Sequence, residues 1–92
     1  MKKANIQKMQ TMAQDFLQYR YKIWLCFGRR DADWCHYQGA CDMIQAFGGE
    51  WKRHYSGDHS EEAQADIKNY SHTVWFPDDE DCKRLNVDAW KD

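Results

Sequence analysis

Proline and glycine are scarce in this chain of 92 residues, one and five respectively. Nothing in it therefore reads as a low-complexity stretch or as a linker dividing it in two. Internal repeats are absent, and no apolar run approaches the roughly 20 residues of a transmembrane helix. The amino terminus opens Met-Lys-Lys, as basic as a secretory signal, yet Ala4 to Lys8 supply no apolar h-region. The expected location is the cytoplasm, with no membrane partner. Missing too are a glycine-rich phosphate loop, a nucleophile elbow and an H-E-x-x-H pair. The four cysteines, Cys26, Cys35, Cys41 and Cys82, include no C-x-x-C. In a cytoplasmic chain they read as reduced thiols and not as two disulfides.

Aromatic residues, by contrast, are plentiful: five Trp, five Tyr and four Phe. Such side chains bury large areas, so they exclude disorder and let a short chain build one core. Residues 1–92 are expected to form a single domain. Charge is sorted along it. Residues 1–30 carry seven bases against the single acid Asp15, whereas residues 58–92 carry ten acids against four bases. The formal net charge of −2 thus hides a local +6 and a local −6. A dipole of this kind steers encounters with charged partners.

The hydrophobic pattern changes period near the middle. Ile6, Met9, Ala13, Phe16, Arg20, Ile23 and Phe27 alternate spacings of three and four, flanked by Leu17 and Trp24, which predicts a helix closed by Gly28. Asp31 or Asp33 then caps a second helix running to about Phe47, before Gly48-Gly49. Its apolar face holds Trp34, Tyr37, Cys41 and Ile44, with Ala40 and Phe47 at the margin. Glu50–Tyr55 and Tyr70–Phe76 alternate with period two and predict antiparallel strands. Between them Asp58 and Glu61 have capping-box spacing, ahead of a short helix over Ser60–Ile67. Pro77 ends the second strand, and Asp78 to Asp81 open a short C-terminal helix. The order α-α-β-(α)-β-α makes an α+β domain: an N-terminal αα-hairpin packed on a small antiparallel β-hairpin.

Candidate sites are weighed on this frame. Cys35, His36, Cys41, His54, His59, His72 and Cys82 suffice by number for a metal, but no two stand at ligand spacing on one helix face. No metal or cofactor is expected. His54 and His59 flank a turn near carboxylates without an ordering motif, so no catalytic residue is assigned and the protein is read as non-enzymatic. His72, alternating with Tyr70 and Val74, reads as a hydrogen-bonded strand residue. Arg20, inside the apolar stripe, reads as a side chain whose stem packs while its head snorkels or pairs with an acid such as Asp42, in preference to a register-setting charge between subunits. A monomer is therefore favoured over a homodimer through the N-terminal helix.

Two partner classes remain. Lys8, Lys22, Arg29 and Arg30 form a nucleic-acid candidate set, but the second helix opens Asp31-Ala32-Asp33 and has no Lys or Arg, so it is a poor recognition helix. The acids Glu61, Glu62, Asp78, Asp79, Glu80 and Asp81, with Trp75 as an anchor on the sheet's outer face, fit a protein with a basic surface. The leading expectation is a small protein-binding module or inhibitor that acts by surface occlusion. In size and charge alone it is similar to the small acidic inhibitors that phage and mobile elements direct at host defence nucleases, anti-CRISPR proteins among them. A nucleic-acid-binding accessory protein is the alternative, and a small enzyme or zinc protein the third reading.

Overall fold

In the computed structural model, residues 3–76 are described. The order is α1 (Lys3–Cys26), α2 (Asp31–Ala46), β1 (Glu50–Tyr55), α3 (Glu61–Gln64), a 3-10 turn (Ile67–Asn69) and β2 (Tyr70–Trp75). The expected α+β architecture is present, with two long helices on a two-stranded antiparallel sheet. The predicted C-terminal helix and the residues from Pro77 onward lie outside the described residues.

Both long helices end in the same way. Gly28 and Gly48 take φ of 95° and 83°, a left-handed conformation that costs glycine little. In each case the following amide reaches back five residues: Arg29 N–H to the Trp24 carbonyl and Gly49 N–H to the Ile44 carbonyl, both 2.9 Å. These are Schellman closures, which satisfy the orphan carbonyls of the last turn. The start of α2 differs from expectation. Arg30 occupies the N-cap without a side-chain cap bond, and buried Asp33 instead accepts from Arg30 Nε at 2.8 Å. The carboxylate still sits at the positive end of the helix, where it is stabilised.

The strands pair from Glu50 with Trp75 to Tyr55 with Tyr70. This register puts Trp51, Arg53 and Tyr55 opposite Val74, His72 and Tyr70 on the helix-facing side. The outer side holds Glu50, Lys52 and His54 with Trp75, Thr73 and Ser71. There His54 Nε2 lies 2.7 Å from Thr73 Oγ1. In the connection, Ser60 and not Asp58 is the N-cap of α3, its Oγ accepting from Ala63 N–H at 3.1 Å. Asp58 accepts from Ser60 N–H one step earlier, at 2.8 Å. The helix expected over Ser60–Ile67 is accordingly one turn, followed by the separate 3-10 turn.

The core is built of rings. Leu17, Tyr37 and Val74 are fully buried, with Tyr21, Leu25, Ala40, Cys41 and Ile44 around them. Tyr21 alone has Trp24, Tyr37, Tyr70 and His72 within 4.9–5.7 Å between centroids, the spacing at which tilted rings attract. Here α1 departs from the expected stripe. Ile6 and Leu17 are buried, and Ala13 and Ile23 half-buried, but Met9, Phe16 and Phe27 are exposed. The face packed inward is rotated toward Gln14, Leu17, Tyr21 and Leu25, because the sheet as well as α2 lies against this helix. Arg20 makes no ion pair with Asp42 among the described residues; its guanidinium lies over the rings of Phe16 and Tyr19, 5.4 and 5.9 Å from the centroids. Phe47, placed at the margin of the α2 core face, is exposed.

Candidate functional site

The acidic candidates are divided by the fold. Glu61 and Glu62 are exposed in the first turn of α3, with no ion pair among the described residues. That turn is tied down from below: Asn69 Nδ2 donates to the Ala63 carbonyl at 2.9 Å and the Tyr70 hydroxyl to the Gln64 carbonyl at 2.7 Å. Asp66 instead pairs with Lys68, 3.4 Å away. Asp78, Asp79, Glu80 and Asp81 lie outside the described residues. Trp75 is half-buried and engaged, opposite Glu50 on the outer side of the sheet. It does not stand free as an anchor.

The basic candidates do not converge. Lys8 and Lys22 are exposed on α1, separated by 14 residues, or about 21 Å of helix at 1.5 Å per residue. Arg29 lies over Trp24, 5.7 Å from the ring. Arg30 pairs with Asp33 through a side chain that is still 66% exposed. Two of the four cations thus have contacts within the fold.

Sequence reasoning missed a directed chain of polar groups beneath the sheet. Gln18 Nε2 donates to the carbonyls of Tyr70 (2.8 Å) and Ile67 (3.3 Å), which fixes its amide with Oε1 toward His72 Nδ1 at 2.8 Å. Nδ1 therefore carries the proton, and Nε2 accepts from the Tyr37 hydroxyl at 2.8 Å. The Tyr37 oxygen in turn accepts from Arg53 at 3.4 Å. Every member is satisfied with His72 neutral, as a buried polar network requires. Burial, and then the charge of Arg53 and His54, lowers the His72 pKa to about 4. Burial likewise raises Tyr37, and it raises Tyr21 to about 12 and the Cys41 thiol to about 11. A thiol protonated to that extent is a weak nucleophile.

The chain belongs to a longer pattern. Gln14 Oε1 accepts from Val74 N–H and Gln10 Oε1 from Phe76 N–H, each at 3.1 Å. Gln10, Gln14 and Gln18 stand four residues apart, on one face of α1, and serve the outward edge of β2. An unpaired strand edge invites further pairing; these amides occupy it. The visible signal was a glutamine every fourth residue beside the apolar stripe.

Among the described residues, three depressions flank α2. One, of about 330 Å³, lies between Phe16, Arg20, Cys35, His36 and Met43. Another, of about 230 Å³, is lined by Trp34, Tyr37, Gln38, Cys41, Asp42, Gln45, Trp51 and Arg53. That is below the roughly 300–1,000 Å³ usual for small-molecule sites. The third is an open apolar groove of about 330 Å³ between Met12, Phe16, Met43 and Phe47, with Ala13, Ala40, Ile44 and Phe76 as its floor and end. Among the described residues no three His, Cys, Asp or Glu side chains gather as metal ligands. Cys26 and Cys35 are exposed free thiols and Cys41 a buried one. No helix among them is long and apolar enough to cross a membrane. Compared with known proteins, the chain matches no family model, no curated protein sequence and no solved structure.

Proposed function

We propose that this protein is a non-enzymatic binding module whose acidic end engages a basic surface on another protein and occludes it. The observation that carries the reading is the segregation of charge, ten acids against four bases in residues 58–92. Of the four acids described there, Asp58, Glu61, Glu62 and Asp66, the two glutamates are held out on a capped and anchored turn. Neither glutamate is itself a cap: Ser60 caps α3, and Asp66 caps the 3-10 turn that follows. Acids in such a cluster accelerate encounter with a cationic site, and occlusion needs no chemistry from the occluding surface. The form of inhibitor that fits is one competing for a nucleic-acid-binding groove, whose phosphate-binding cations the carboxylates would meet.

The test is affinity capture from the native host with two baits, the natural chain and one with Glu61, Glu62, Asp78, Asp79, Glu80 and Asp81 changed to Ala. Specific partners should be lost from the second bait, and a recovered partner should release its nucleic acid when the natural chain is added. A partner set indifferent to the six substitutions would refute the mechanism. Binding of duplex or single-stranded nucleic acid by the chain alone, weakening steeply with salt, would instead establish the reading based on Lys8, Lys22, Arg29 and Arg30.

A further inference from the structure

We infer that the outer face of the α1–α2 hairpin is a homodimer interface in which the two α1 helices pack antiparallel about a two-fold axis. Met9, Met12, Phe16 and Tyr19 of α1, with Met43 and Phe47 of α2, are 38 to 76% exposed. Four of them wall the apolar groove. At the roughly 150–250 Å² of a large side chain, the six leave on the order of 500–850 Å² of contact surface open. A stable interface takes about 800 Å² from each partner. The face therefore has nearly the area a dimer needs, and it exceeds what scattered surface hydrophobics provide.

The occupant follows from symmetry. A two-fold interface must be self-complementary, each contact occurring twice with the partners exchanged. Met12, Phe16, Tyr19 and Ile23 are spaced four, three and four, a pattern that reads the same from either end. A second copy running antiparallel layers its Tyr19 on Phe16 and its Ile23 on Met12. In that register like flanks of the two helices meet, so Asp15 comes opposite Lys22 of the second copy, and Lys22 opposite Asp15. Asp15 is the only acid on α1 and, like Lys22, is exposed with no ion pair among the described residues. Arg20, stacked over Phe16 and Tyr19, closes the other flank of the rings. An unrelated partner would require none of this internal symmetry.

Sedimentation equilibrium of the 92-residue chain under reducing conditions, up to about 100 µM, tests the inference. The expected mass rises with concentration toward twice 11.1 kDa. Phe16→Glu should raise the dissociation constant at least about tenfold, as loss of a central aromatic anchor does. Met12→Glu, at a more exposed position, serves the same purpose if the first variant folds poorly by circular dichroism. Asp15→Lys should weaken the dimer and Asp15→Lys with Lys22→Asp should restore it. A monomer throughout the range overturns the inference, including one whose melting temperature Phe16→Glu lowers, which would mean the face is covered within the chain. So does a dimer indifferent to both glutamates, or a charge exchange that fails to restore it. None of these substitutions touches Glu61 or Glu62, so the dimer and the acidic binding surface stand or fall separately.

Discussion

The two faces of α1 invert the usual distribution of polarity. The inward face carries Gln10, Gln14 and Gln18 beside Leu17 and Tyr21; the outward face carries Met9, Met12, Phe16 and Tyr19. Amides are turned in because the helix lies along the exposed edge of β2, whose backbone groups demand partners that a leucine lacks. Among the described residues, apolar side chains are turned out because the elements packed on α1, chiefly α2 and β2, cover only part of its circumference. A stripe of apolar residues thus shows that a face wants covering, without saying what covers it. Polar residues at helical spacing carry as much structural information when a sheet edge is waiting.

Substitutions at matched positions on the two faces separate their roles. The largest effect belongs to Leu17→Ala, which empties a fully buried position. It should destabilise the fold by about 3–4 kcal/mol in denaturant unfolding. Met12→Ser on the opposite face should change the monomer's stability by less than about 0.5 kcal/mol, the range of surface substitutions. Equal losses at both positions would show that the outer face is packed within the chain.

Acid should break the inward face selectively. His72 is neutral when buried, with its pKa lowered to about 4 from an ordinary 6.5. Below pH 6.5 the unfolded chain binds a proton that the folded chain does not, so this contribution is intact above 6.5. It is lost as pH falls from 6.5 toward 4, amounting to about 3 kcal/mol at the lower limit. Urea midpoints measured from pH 7 to pH 4 should fall accordingly, and His72→Gln should flatten the profile. If the variant keeps the full slope, another group is responsible.

The glutamine ladder gives a smaller effect. Gln14→Ala leaves Val74 N–H without its acceptor and should cost about 1–2 kcal/mol. Amide exchange should quicken at Val74 while Phe76, served by Gln10, keeps its protection. Smaller still, Ser60→Ala removes the α3 cap, a loss of about 1 kcal/mol confined to that turn. Lower protection at Ala63, with an unchanged core, is the expected exchange pattern.

Much of this architecture was legible in residue order. Strand ends predicted at Glu50, Tyr55 and Tyr70 coincide with those observed, because period-two alternation is local and the flanking turns are chemically distinct. The helix stops at Gly28 and Gly48 were equally readable, since few residues other than glycine adopt that conformation cheaply. Arg20 was not. Its guanidinium finds a ring in its own helix, Phe16, one turn away, a contact that competes with any ion pair to α2. Trp75 was assigned to the outer side of the sheet, where the register puts it, but its engagement depends on neighbours that alternation does not reveal. At the acidic end, Ser60 took the cap expected of Asp58, which removed part of the explanation for the acids there and left Glu61 and Glu62 turned to solvent.

By itself, then, the sequence determined the helices, the strands, their order and the segregation of charge, all of them consequences of spacing between near neighbours. Only the tertiary structure decided which face of α1 turns inward, which protonation form of His72 is compatible with burial and which aromatics stay in water. Those outcomes depend on groups 35 to 66 residues apart, such as Tyr37 with His72 and Gln10 with Phe76, brought to hydrogen-bonding distance by the return of the chain. A local pattern cannot encode a partner it does not contain, and the polar edge of β2 is the partner that turned α1.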